Sequence, residues 1–460
     1  MIYATEKEIF DNQALELVNG EIKIKNPQLF RETTVDHLVD TIVLGRNKGL
    51  KKLCYWVAYN CALKLEAIPS SILGLYEAIG RGEIEGFTVP AINIRTLTYD
   101  LARAAFKAAN KQNVGAFIFE IATSEIGYTD QRPIEYSSIV LLSAIKEGYK
   151  GPIFIQGDHF QITPENYFQD KEKELALLES LIRESIKAHF YNIDIDSSTM
   201  VDLTKPTIDQ QQKLNYQLCS WFTKYVRQIQ PENIEISVGG EIGEVGGKNS
   251  TAQELKAFME GYQKELKGIK GISKISIQTG TSHGGVVLGD GTIAQVKIDF
   301  KTLKKLSTLS RNEYCMSGVV QHGASTLPNE AFHHFPQNHC SEIHLATQFQ
   351  NIIYEYLPLS LKEKIYSWLY KNCAKKESWT NDQFIYKTRK KALGPFKKEI
   401  HTLPNDLREK ISKAIEEEFL FLFEQLGVNN TKSHIEKYIK PVIVEKNKRF
   451  FLEETSLDRG

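Results

Sequence analysis

No apolar run in the 460 residues approaches the ~20 that a bilayer crossing requires, so no membrane partner is expected. The N-terminal stretch MIYATEKEIFDNQALELVNG has no basic segment leading into an apolar core, which argues against a secretory signal peptide. Excess charge of one sign is also lacking: 57 Lys and Arg balance 57 Asp and Glu. That excludes the net basic footprint of a nucleic-acid binder, although a local patch stays open. Cysteine is scarce. The six are Cys54, Cys61, Cys219, Cys315, Cys340 and Cys373, scattered and without a CxxC pair. In a chain of this length they read as reduced, mostly buried thiols of a cytoplasmic protein. Cys54 and Cys61 lie two helical turns apart, the spacing of core packing. No GxGxxG follows the first apolar run, which counts against a dinucleotide-binding fold.

What is present is alternation. Short runs rich in Val, Ile and Phe occur at 86–94, 114–122, 151–160, 190–198, 234–243, 273–284, 314–325 and 340–348. Segments with helical spacing lie between them, such as LTYDLARAAFKAANKQN and TAQELKAFMEGYQKELKG. Strand-then-helix repetition implies parallel strands joined by crossovers. Eight such units fit a closed (β/α)8, or TIM, barrel better than an open doubly wound sheet. The expected organisation is a helical N-terminal extension over 1–83, an α/β barrel over 84–354 and a helical, charge-rich C-terminal extension over 355–460. The N-terminal extension reads as a cap on the barrel. The C-terminal segment EEEFLFLFEQL reads either as a solvated face or as a partner-binding helix.

The active site of such a barrel lies at the C-terminal ends of its strands. Several runs here end in residues that packing would not choose: Gln156-Gly157-Asp158-His159, Asp194-Ile195-Asp196, Gly239-Gly240-Glu241, Gly280-Thr281-Ser282-His283-Gly284-Gly285 and Gln321-His322-Gly323-Ala324-Ser325. The eighth run carries His344 and Thr347. Of eleven histidines, three (His159, His283 and His322) end strands three, six and seven around one mouth. Three imidazoles plus an open position suit a catalytic divalent metal, zinc above all. His333, His334 and His339 follow strand seven and read as surface residues. Gly284 and Gly323, with the Ser325 and Thr326 hydroxyls, offer exposed amides that can cradle a phosphate.

These segments resemble the class II, metal-dependent fructose-bisphosphate and tagatose-bisphosphate aldolases. GDH at 157–159 resembles the family's Asp-His pair, and EIGEVGG at 241–247 its ExGxxGG segment. GTSHGG at 280–285 is similar to GTAHG, QHGAST at 321–326 to HGGSG, and VKIDFKTL at 296–303 to KLDFDRL. The resemblance implies that His159, His283 and His322 bind one catalytic Zn2+, with Glu241 and Asp196 holding or receiving the metal in an alternative place. It implies that Asp158 exchanges a proton with the hydroxyl at the cleaved carbon–carbon bond. It also implies that Gly284, Gly323, Ser325 and Thr347 contact phosphate, and that Asn93 contacts a phosphorylated sugar substrate. A second divalent or a monovalent cation and a homo-oligomer are further implications. Aldol cleavage leaves an enediolate on the three-carbon ketone, which a Lewis acid stabilises without a lysine Schiff base.

The chain differs from the family where the ketose and its phosphate are held. Gly247 is followed by Lys248, Asn249 and Ser250 rather than by acids, so Glu244 or Glu254 would have to serve instead. On strand eight the family's Asn-x-Asp-Thr-Asp becomes His344-Leu345-Ala346-Thr347-Gln348. The expected activity is cleavage of a phosphorylated ketose to dihydroxyacetone phosphate and an aldehyde. The alternatives are a non-catalytic or regulatory barrel that binds sugar phosphate, and another lyase or an epimerase on the same scaffold.

Overall fold

The apolar runs form strands where the sequence places them. The computed structural model describes residues 1–10, 12–243, 248–280, 286–289, 293–294 and 298–453. In it the runs are β1 (Val89–Asn93), β2 (Ile118–Ala122), β3 (Gly151–Gln161), β4 (Asn192–Asp196), β5 (Ser237–Glu241), β6 (Lys274–Ile277), β7 (Val319–Gln321) and β8 (Glu342–Leu345). Every neighbouring pair is parallel. β8 returns to β1 with Glu342 opposite Val89, so the sheet closes into a TIM barrel of eight strands. The crossover helices include Thr98–Gln112, Pro133–Lys146, Lys171–Lys187, Ile208–Ile229, Ala252–Leu266 and Phe300–Tyr314. Their apolar stripes cover the outward strand residues, including Ile92, Phe119, Ile155, Ile193, Val238 and Ile275, all buried. Cys54 and Cys61 are buried free thiols in the Lys48–Lys64 helix, as their spacing predicts. Among the described residues no helix is long and apolar enough to cross a membrane.

The strand residues that face inward are unusual. Every second position on several strands is polar: Glu120 on β2, Gln156 and Asp158 on β3, Asp194 and Asp196 on β4, Lys274 on β6, and Glu342 and His344 on β8. Lys274 Nζ lies 2.9 Å from Asp194 and 2.5 Å from Glu342, and it donates to Gln156 Oε1 at 2.7 Å. Gly239 on β5 makes room for this group, because a Cβ there would meet Asp194 Oδ1 at 2.3 Å. The floor below is closed by the Leu73–Gly80 helix, whose Tyr76 hydroxyl donates to Glu342.

The N-terminal extension is mainly helical, as expected, and also carries three short strands that the sequence reading did not include. Leu15–Val18 and Glu21–Ile24 form an antiparallel hairpin turned by Asn19-Gly20, with φ of 53° and 83°. Ala67–Ser70 joins the barrel sheet as an extra parallel strand. The cause is the length of β3. Its lower half, Gly151–Phe154, reaches below β4 and would leave an open edge, and Ala67–Ser70 pairs with it there. The C-terminal extension is helical as expected. Its Asn405–Gln425 helix turns Ile411, Ile415, Phe419 and Phe423 onto the barrel's Thr98–Gln112 and Thr347–Tyr356 helices, and Arg408 pairs with the buried Asp100 at 2.8 Å. Phe419, Leu422, Phe423 and Leu426 of the EEEFLFLFEQL segment are thus buried within the chain.

Candidate metal centre and active site

β3 delivers two consecutive functional residues to one cavity, which a regular strand cannot do because neighbours face opposite sides. Its pairing with β4 shifts register between Gly157 and Phe160, a bulge that holds Asp158 and His159. His159 sits at φ 42°, a left-handed conformation that costs a non-glycine residue energy. Gly157 permits the bend, since a Cβ there would meet the Phe160 ring at 2.4 Å.

Around the bulge the other strand ends converge. His159 Nδ1 lies 2.9 Å from Asp196 Oδ2 and 3.5 Å from Glu241 Oε2. His322, just past β7, places its ring centroid 4.3 Å from that of His159 and its Nδ1 3.9 Å from Glu241 Oε2. Asp158 Oδ1 stands 3.9 Å from the Nε2 atoms of both His159 and His322. Asp196 is fixed by Ser198 at 2.7 Å and by Gln161 at 2.8 Å. One cavity of about 790 Å³ is lined by these residues together with Asn93, Gly323, Ser325 and Thr347. The expected site residues are thus brought together wherever they are described. His283 and Gly284 lie outside the described residues, as does Glu244. His333, His334 and His339 are not among the cavity's lining residues. Glu254 is not among them either: its carboxylate caps the Ala252–Leu266 helix through Thr251 at 2.8 Å and pairs with Lys248 at 2.8 Å.

Charge sets the protonation states. Burial favours neutral Asp158, yet His159, His344 and His322 outweigh it and hold the carboxyl well below its ordinary range. Burial likewise opposes charge on His159, but Asp158, Asp196 and Glu241 raise its pKa well above the usual histidine value. Burial, reinforced by Asp196, pushes Glu241 well up. An excess of carboxylates around neighbouring imidazoles is a donor set that favours a cation of higher charge than a proton. His159, Glu241 and His322 can each offer one ligand atom to a common centre.

Several residues of the site carried no functional assignment from the sequence. The His344 ring is tilted against that of His322 with their centroids 4.1 Å apart, and its Nδ1 lies 3.3 Å from Asp158 and 3.0 Å from Glu120. Burial drives the Glu120 carboxyl up to about 7, against the pull of His344. The available signal was the single charged residue of β2 and the two polar residues at alternate positions of β8, in strands otherwise apolar. Arg95 pairs with Glu125 at 2.7 Å, and Glu125 also accepts from Asn93 Nδ2 at 2.6 Å. That leaves the buried Asn93 Oδ1 without a hydrogen bond among the described residues, and Asn93 is one of the residues lining the cavity. Tyr386, Lys387 and Lys390 enter the same cavity from the C-terminal extension.

The model of the class II fructose-bisphosphate aldolase family matches residues 75–423. The chain belongs to this family. The match runs from the helix under the barrel floor into the Asn405–Gln425 helix, so both extensions contribute to what the family shares. Solved structures to which the chain is similar are distant. The YdjI aldolase of Escherichia coli K12 is 13% identical with a TM-score of 0.48, covering 78% of this chain and 98% of its own. The fructose-bisphosphate aldolase of Campylobacter jejuni is 16% identical with a TM-score of 0.47, covering 79% and 98%. A probable tagatose 6-phosphate kinase of Sinorhizobium meliloti 1021 is 14% identical with a TM-score of 0.49, covering 81% and 97%. No curated protein is matched.

Proposed function

We propose that this family member is a zinc-dependent aldolase that reversibly cleaves a phosphorylated ketose to dihydroxyacetone phosphate and an aldehyde. The observation that carries the reading is the placement of Asp158 beside His159, His322 and Glu241 in one cavity. The buried nitrogen and oxygen donors suit a divalent ion held by His159 and His322, with His283 as the third histidine that the sequence offers and Glu241 and Asp196 beside them. When bound, the metal supplies positive charge against the negative charge that develops on the ketone fragment. Asp158 Oδ1 takes the proton from the hydroxyl on the carbon that becomes the aldehyde, and returns it in the condensation direction. His344, 3.3 Å away, holds that oxygen in place. Asn93 Oδ1 accepts from a substrate hydroxyl. Gly323, at φ 67°, turns the chain after His322 so that Ser325 and the first turn of the Thr347–Tyr356 helix face the ketose phosphate.

Zinc-loaded protein is expected to release dihydroxyacetone phosphate from at least one member of a panel of ketose phosphates, and a chelator should abolish the release. Asp158→Asn should retain zinc and lower kcat by about 10²–10⁴-fold. Unchanged turnover in that variant would remove the assigned role. Absence of release from every substrate, with zinc bound, would favour a barrel that binds sugar phosphate without cleaving it.

A further inference from the structure

The barrel interior holds more negative charge than one metal centre accounts for. Glu120, Asp158, Asp194, Asp196, Glu241 and Glu342 are six buried carboxylates. Lys274 and one divalent ion together carry three positive charges, so three carboxylates are left to protons or to a second cation. Donors for a second cation are already grouped. His344 Nδ1 lies 3.0 Å from Glu120 Oε2 and 3.3 Å from Asp158 Oδ1. Donor atoms about 2.0–2.1 Å from one tetrahedral ion stand about 3.3 Å from each other, so this is the spacing of ligands round a common centre. It is also the spacing of a salt-bridged imidazolium, yet the buried His344 Nδ1, Asp158 Oδ1 and Glu120 Oε1 form no hydrogen bond among the described residues. The remote ring nitrogen is engaged instead: His344 Nε2 lies 2.7 Å from Glu342 Oε1. A carboxylate behind the remote nitrogen is the support that metal-bound histidines have. Asp158, His322 and His344 can each offer one ligand atom to a common centre, a set different from His159, Glu241 and His322. The His322 ring is common to both, with centroids 4.3 Å from His159 and 4.1 Å from His344. Glu120, Asp158, His322 and His344 all line the cavity, which gives an ion a path to them. His344 stands where the family's strand eight carries Asn, so this nitrogen is a feature of this chain.

We propose that Glu120, Asp158 and His344 form a second divalent-cation site next to the catalytic one. Two carboxylates and one imidazole suit an ion such as zinc or manganese. An ion there takes up the Asp158 oxygen that cleavage needs as its base. The second ion is therefore inhibitory: one ion per chain supports turnover and two suppress it. Binding of the second ion stands on the donor set alone, whereas the inhibition rests on the aldolase reading.

The test uses the full-length protein, stripped by a chelator and titrated with Zn2+ in equilibrium dialysis, with bound metal measured per chain. The wild type is expected to bind two ions, the second more weakly than the first. Removing a group that only supports metal ligands already weakens binding by about 10–100-fold, so Glu120→Gln and His344→Asn should each weaken the second ion by about ten-fold or more and retain the first. One ion per chain in the wild type, or a second ion held equally by wild type and variants, overturns the site. A measurement on the wild type alone guards against variants that fail to fold. A second equivalent of Co2+ should broaden or diminish the electron-paramagnetic signal of the first, because ions on neighbouring ligands couple. A signal that merely doubles puts the second ion elsewhere and overturns the site. In the cleavage assay, turnover should rise with the first equivalent of zinc and fall with the second, and Glu120→Gln should move the fall to higher zinc by the factor lost in affinity. Full turnover with two ions bound overturns the inhibition. A chain that binds two ions in this way but cleaves no ketose phosphate keeps the site and loses the aldolase reading.

Discussion

Lys274 shows how one residue can organise a barrel interior. With its side chain 1% exposed it would be costly alone, but Asp194 and Glu342 flank it and Gln156 accepts from it. Those carboxylates in turn need it. Burial lifts Asp194 to about 6, against the pull of Lys274, while for Glu342 the lysine and His344 overcome burial and hold it at about 2. Lys274→Met should therefore destabilise the protein by about 3–5 kcal/mol, because it leaves uncompensated charge rather than because it removes a favourable pair. Denaturant titration measures this, and a loss below about 1 kcal/mol would mean that the carboxylates neutralise themselves by taking up protons. His344 belongs to the same chain of contacts, since its Nε2 lies 2.7 Å from Glu342 and its Nδ1 3.3 Å from Asp158. Alternation marks both as inward residues. What alternation could not give is which inward residues share a layer, because that depends on the stagger between strands.

At the scale of elements, the bulge in β3 brings Asp158 and His159 to one cavity, and helix packing decides how firmly the strands are held. The helices Ile208–Ile229 and Ala252–Leu266 pack closely at Gly261, where a Cβ would meet the Tyr216 ring at 2.4 Å. Gly261→Ala gains up to about 1 kcal/mol of helix propensity but overpacks this contact at a cost of about 1–3 kcal/mol. A net loss of stability is expected, read as a lower midpoint in urea. A midpoint at or above that of the wild type would show that Tyr216 swings aside. The eight strands and the main crossover helices were legible because each is long enough for its period to show. The Leu15–Val18 and Glu21–Ile24 hairpin was not. Its strands have four residues each, too few to outweigh the helical pattern downstream, although Asn19-Gly20 is the turn signal that should have separated them. Ala67–Ser70 is a strand only because β3 offers it an edge.

Across the whole molecule, the two extensions meet each other as well as the barrel. Asp40, in the N-terminal part, pairs with His401 in the C-terminal part at 3.1 Å and with the Met1 amino group at 2.8 Å. Burial would raise the Asp40 pKa, but hydrogen bonds from His401 and the amino group prevail and bring it from 3.8 to about 2. A depressed carboxyl stabilises the fold above its unfolded pKa, and that contribution fades as pH falls from about 3.8 through about 2. The stability gap between wild type and Asp40→Asn should therefore be widest near neutrality and shrink across that window, as read by urea titrations at successive pH values. A gap independent of pH would mean that Asp40 acts by packing alone. The sequence by itself determined the barrel, the order of its strands and the residues at their ends, because periodicity and strand-end chemistry are local properties of the chain. Only the tertiary structure decided that His344 and Glu120 join Asp158, that Glu254 is spent on a helix cap, and that Lys387 and Lys390 reach the mouth from some three hundred residues beyond β1. Those are distances between segments remote in sequence, fixed by closure of the barrel and by the packing of the Asn405–Gln425 helix against it.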